Sequence, residues 1–191
     1  MERKNKRILW LIYDAIFAII TVAGCIYLFM APISSSFYED SGSNFEFKLG
    51  VVTWELFDDG TAIDDGNVGE LSNYPTYATY MVIAAQLLIF IPAALVLWFL
   101  SKNAQYGTHD KHIRIASILN ILVCTVGLVG LGLLTTYFPT LETAYGPTQL
   151  STGFYIAIAY FGAMILMSLL PLFKPDITSE SANVGDVTSR Y

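Results

Sequence analysis

Cysteine is nearly absent from this chain of 191 residues, and its two copies, Cys25 and Cys124, both lie inside long apolar runs. No disulfide therefore braces the polar segments, and the count says nothing about redox compartment. As small residues in helices the two serve packing. Charge is scarce as well. Lys, Arg, Asp and Glu make up 14% of the chain, against about 25% in an ordinary soluble domain. The cations gather into no basic surface of the kind a nucleic acid needs, so that partner is excluded. No Gly-x-Ser-x-Gly, no His-Glu-x-x-His and no phosphate-cradling glycine loop occurs. The two histidines, His109 and His112, share one polar segment, so no pair on facing helices is available to a haem. Beside Asp110 they read as a solvated polar loop in preference to a metal site. The chain reads as non-enzymatic, with no cofactor and no catalytic or metal site. It also lacks any Asn-x-Ser/Thr acceptor for N-glycosylation.

What the chain has in abundance is apolar sequence. Hydrophobic residues reach 54%, with a mean hydropathy of +0.54, and they cluster in runs instead of alternating. A helix rises about 1.5 Å per residue, so roughly 20 apolar residues cross a hydrocarbon core of about 30 Å. Four runs qualify: residues 8–30, 80–100, 115–137 and 154–173. In lipid an open sheet or loop would leave backbone groups unpaired, so these runs are expected as helices. The first is longer than a signal-peptide core and is interrupted by Asp14, with no small-x-small cleavage site after it; it reads as a retained span.

Lys and Arg set the orientation. Arg3, Lys4, Lys6 and Arg7 precede the first run, Lys102, Lys111 and Arg114 lie between the second and third, and Lys174 and Arg190 follow the fourth. Only Lys48 falls on the other side. This predicts cytoplasmic residues 1–7, 101–114 and 174–191, with 31–79 and 138–153 outside, in a multi-pass protein of the plasma membrane. Trp10, Tyr77, Tyr80, Trp98, Tyr137, Tyr155 and Phe173 stand near the run ends, where amphipathic rings favour the interface.

The first outer segment, 31–79, carries the most information. Phe45, Phe47, Leu49 and Val51 alternate with Glu46 and Lys48, as a half-buried strand does. Beyond Gly50 the apolar register moves to Val52, Trp54 and Leu56, which suggests a bend at the glycine. Asp59-Gly60 and Asp65-Gly66 are hairpin-turn signals. The expected fold class is thus an all-α membrane protein, a bundle of four transmembrane helices, with a small antiparallel hairpin or sheet in the first outer loop. That loop holds nine acids against one lysine, a net charge of -8. Asp58, Asp59, Asp64 and Asp65 are its densest part. They suit a basic partner, a raised local concentration of cations or bound Ca²⁺, and equally a solvated hairpin kept soluble by turn-forming acids. The spacing does not match an EF-hand, since Thr61 and Ile63 fall where acids belong.

Four spans, a first outer loop of about fifty residues holding Leu49-Gly50-Val51-Val52-Thr53-Trp54, and a short second loop resemble the claudin/PMP22 superfamily. In that superfamily a Gly-Leu-Trp motif precedes two cysteines; here Phe57 stands where the first would follow. The resemblance implies a membrane-organising or cell-contact protein, with Trp54 as an anchor of the sheet. The partners expected are the bilayer itself, further copies of the chain or other membrane proteins. The alternative is an auxiliary subunit of a channel or transporter, or a minor cation-conducting pore. Asp14, Gln86 and Asn120 are the polar side chains inside spans; Asp14 sits near the cytoplasmic interface, while Gln86 and Asn120 are deep enough to hydrogen-bond between helices. Gly127, Gly130, Gly132 and the pair Ala159 and Ala163 predict close helix approach. The polar tail from Lys174 is expected to be disordered, and its Ser189-Arg190-Tyr191 end suits capture by a carboxylate-binding domain.

Overall fold

A computed structural model describes residues 2–30, 32–40, 43–106 and 110–173. His109 and the tail, with the readings placed on them, lie outside the described residues. The fold is mostly helical. Helix α1 spans Glu2–Met30, α2 Thr76–Leu88, α3 Phe90–Tyr106, α4 Asp110–Leu134, α5 Phe138–Tyr145 and α6 Thr152–Phe173. Helices α2 and α3 form one apolar stretch broken at Ile89. Pro92 accounts for the break, because it offers no N–H to the carbonyl four residues earlier and its ring crowds that carbonyl. A 3₁₀ turn at Thr135–Tyr137 joins α4 to α5, and Pro139 stands in the first turn of α5.

Three stretches are long and apolar enough to cross a bilayer: Thr76–Leu100, Lys111–Tyr145 and Thr152–Phe173. In α1, 29 residues long, the described apolar stretch is Ile12–Tyr27. Large apolar side chains such as Ile19, Leu87, Ile91, Leu122 and Leu166 lie exposed on these helices. A helix apolar all round suits a hydrocarbon surrounding. The candidate spans point to a multi-pass membrane protein.

An antiparallel sheet is present, and it is larger than a hairpin. Strands β1 (Ser34–Asp40), β2 (Ser43–Leu49), β3 (Thr53–Asp58) and β4 (Thr61–Asn67) are joined by β5 (Thr148–Leu150), in the order β4-β3-β2-β1-β5. Residues 138–153, read from sequence as a plain connection, thus contain α5 and a strand that pairs with Ser34–Ser36. Asp59-Gly60 makes the β3–β4 turn, with φ of 45° and 80°. Asp65-Gly66 makes none: both residues lie inside β4, opposite Glu55 and Trp54. The chain bends at Gly50 between β2 and β3, where the Gly50 N–H donates to the Thr53 carbonyl at 2.8 Å. Phe47, Leu49 and Val51 are buried, as the alternation predicts.

The described residues of 1–22, 88–124 and 162–191 form one compact unit, wholly helical; those of 23–87 and 125–161 form a second, which carries the sheet. The helical unit is cored by Val96, Leu100, Ile113 and Ala116, with Tyr13 and Phe99 against them. In the sheet-bearing unit a Cβ at Gly130 would lie 3.0 Å from the Ala78 carbonyl oxygen and 2.9 Å from Val82 Cγ2. The glycine is therefore what lets α4 approach the backbone of α2. A Cβ at Gly132 or Gly162 would meet open space, and Ala159 is exposed, so no close approach among the described residues requires these small residues.

Candidate functional site: an acidic sheet anchored by Trp54

Register decides which candidate side chains share a face. Leu49 stands opposite Trp54, Phe47 opposite Leu56, and Phe45 opposite Asp58. Across the next pair, Trp54 faces Gly66 and Leu56 faces Asp64, before a bulge at Leu56/Phe57. Trp54, Asp58 and Asp64 therefore belong to the face of Phe47 and Leu49. Asp65 belongs to the other, with Glu55 and Lys48. The four acids that cluster in sequence are divided by the pleat.

Trp54 is half-buried and its ring stacks on Phe47 at 5.7 Å and 19°. Phe47 in turn stacks on Tyr145 of α5 at 4.4 Å and 8°. This three-ring column ties the sheet to a helix, and offset stacks of this kind contribute about 0.5–1.5 kcal/mol beyond burial. The indole N–H is buried without a hydrogen-bond partner in the protein.

Each acid has a distinct surrounding. Asp59 is structural: its Oδ1 accepts from Asn44 N and Asn44 Nδ2, both at 3.1 Å, and its own N–H donates to the Asn44 carbonyl at 2.9 Å. Asp58 is half-buried, with Oδ1 buried and unpartnered. Asp64 is exposed and accepts from the backbone N–H of Asp65 at 3.0 Å. Asp65 is exposed opposite Glu55. Lys48 Nζ lies 3.2 Å from Glu46 Oε2 and 4.1 Å from the centre of the Phe57 ring, so the one lysine of the sheet is already engaged. Among the described residues no group of three or more His, Cys, Asp and Glu is placed to hold a metal. Burial pushes the phenol pKa of nearby Tyr74 up, Tyr137 adds to the rise, and a hydrogen bond with Thr79 partly offsets it.

Each polar residue of the spans has its own surrounding. Asp14 and Asn120 belong to the helical unit and Gln86 to the sheet-bearing one. Asp14 Oδ1 is buried and unpartnered. Asn120 makes the hydrogen bond expected of it, from Nδ2 to Ser168 Oγ of α6 at 2.7 Å. Gln86 is fully buried and neither end of its amide has a partner in the protein; its backbone carbonyl, beside the break after α2, accepts from Cys25 Sγ at 3.7 Å. His112 sits in the first turn of α4, stacked on Phe99 at 5.1 Å. Sequence reading passed over Ser117 and Ser168, both fully buried. The signal was there for Ser117, three residues before Asn120 and so on the same helix face.

No family model matches the chain, and no curated protein matches it either.

Proposed function

We propose that this chain is a non-enzymatic, claudin-like protein of the plasma membrane with four transmembrane helices, which organises membrane or cell-surface contacts through its acidic first outer loop. Its amino and carboxyl ends are cytoplasmic in this reading, which rests on the asymmetry of Lys and Arg. The observation that carries the function is the β3–β4 hairpin. Residues 61–65 of the edge strand β4 are all exposed, and among them Asp64 and Asp65 meet no lysine or arginine of the described sheet. Such an edge, backed by the Trp54–Phe47–Tyr145 column, offers a partner a rigid, anionic surface.

The test is crosslinking of the intact protein in native membranes, with mass spectrometry of what is attached. Links through residues 45–70 to further copies or to adhesion proteins, reduced by Asp64→Asn with Asp65→Asn, are expected. Identical links in that double variant would refute the reading. Asp59→Asn is unsuitable because Asp59 holds the turn.

A second reading, an auxiliary subunit or minor cation pore, is favoured by the unpartnered Asp14 carboxylate oxygen within α1. It requires currents in a host cell that change on expression and respond to Asp14→Asn.

A further inference from the structure

The helical unit contains a buried polar site that involves neither Asp14 nor the sheet. Asn120 is fully buried, and its Nδ2 donates to Ser168 Oγ at 2.7 Å. Ser168 commits its single hydrogen to the Met164 carbonyl, 2.8 Å away, so towards Asn120 it acts only as an acceptor. Asn120 Oδ1 faces away from Ser168 and is buried with no partner in the protein. Ser117, also fully buried, has an unpartnered Oγ. The two residues are three apart on α4, where Cβ atoms are about 5–6 Å from each other. Polar groups on one helix face at that spacing come within reach of a single bridging water, whose hydrogen bonds are about 2.8 Å each.

We propose that Ser117 and Asn120 hold an internal water molecule. The water donates to Asn120 Oδ1 and accepts the Ser117 hydroxyl hydrogen, completing a polar joint that runs from α4 through Ser168 to the Met164 carbonyl of α6. Buried waters characteristically satisfy groups of this kind with two to four bonds. A hard cation is a poor occupant, because it takes about six oxygens, and Ser117 Oγ and Asn120 Oδ1 are the two unpartnered ones among the described residues here.

The test uses the full chain in lipid nanodiscs and hydroxyl-radical footprinting by ionising radiation, in which a bound water labels the side chains beside it. Met164 and Cys124 are fully buried sulfur-bearing reporters, the first bonded to Ser168 and the second one helical turn beyond Asn120. Oxidation at one or both is expected in the wild-type chain, with a several-fold drop in Ser117→Ala and a larger one in Ser117→Ala combined with Asn120→Leu. Melting and elution profiles establish that each variant is folded, and Ser117→Ala alone decides if the double variant is not. No labelling of either reporter in the wild-type chain, or labelling unchanged in the folded variants, would overturn the proposal.

Discussion

Gly66 stands directly opposite Trp54 across β4 and β3, and its missing side chain makes room for the indole edge. A Cβ there would lie 2.9 Å from Trp54 Nε1 and 2.6 Å from Glu70 Oε2. Gly66→Ala should therefore displace the ring from Phe47 and destabilise the sheet-bearing unit by about 1–3 kcal/mol, the range for overpacking. With Trp10 and Trp98 replaced by Phe, emission from Trp54 reports the displacement. Unchanged emission and melting would mean that the indole has slack.

Glu55 and Asp65 are paired directly across β3 and β4, and like charges so placed repel. Asp65→Asn should raise stability by about 0.2–1 kcal/mol, and the gain should shrink as salt is added. Melting curves at low and high ionic strength check both parts. If contacts through the sheet weaken in the same variant, Asp65 is retained for recognition at the expense of the fold.

The bond from Asn120 to Ser168 is the one cross-helix amide contact found among the three polar span residues singled out from sequence. A double-mutant cycle with Asn120→Leu and Ser168→Ala should return a coupling of about 0.6 kcal/mol, the average for hydrogen bonds between helices in lipid. A coupling indistinguishable from zero would mean that packing alone joins α4 to α6 there.

Tyr74 makes stability fall on the alkaline side. Its hydroxyl lies 2.9 Å from Thr79 Oγ1, and burial holds the phenol pKa above its ordinary value of 10.0. The folded state therefore binds this proton more tightly than the unfolded chain does. The associated stability is complete below about pH 10 and is lost as pH rises past it towards the folded-state value. Tyr74→Phe should be less stable at neutral pH, having lost the hydrogen bond to Thr79, yet decline less steeply between about pH 9 and 11. Unfolding followed across that range decides the matter; parallel curves would contradict it.

The apolar runs were legible because a span is encoded locally, in composition and length. The same holds for the alternation of Phe45, Phe47 and Leu49 and for the turn at Asp59-Gly60, where successive positive φ angles demand residues of that kind. Asp65-Gly66 misled because an identical dipeptide there answers a different need, clearance for a ring on the facing strand. Strand β5 was invisible: three residues carry no periodicity, and its partner Ser34–Ser36 lies more than a hundred positions earlier. The division of the acids between two faces follows from register and the bulge at Leu56/Phe57, which no count of charges reveals. Ser117 shares a helix face with Asn120, a signal legible in sequence, but its burial depends on packing in the folded unit.

The pairing of β5 with β1 also sets a schedule for the chain as it is made. Four strands are complete once residue 67 has been synthesised, but Ser34–Ser36, at the start of β1, gain their partner on its outer edge only when residues 148–150 arrive. Until then a nascent or truncated chain displays an open strand to its neighbours, a template for mispairing. Premature stops between the third and fourth apolar runs should thus be handled by the cell as aggregation hazards, beyond the loss of one helix.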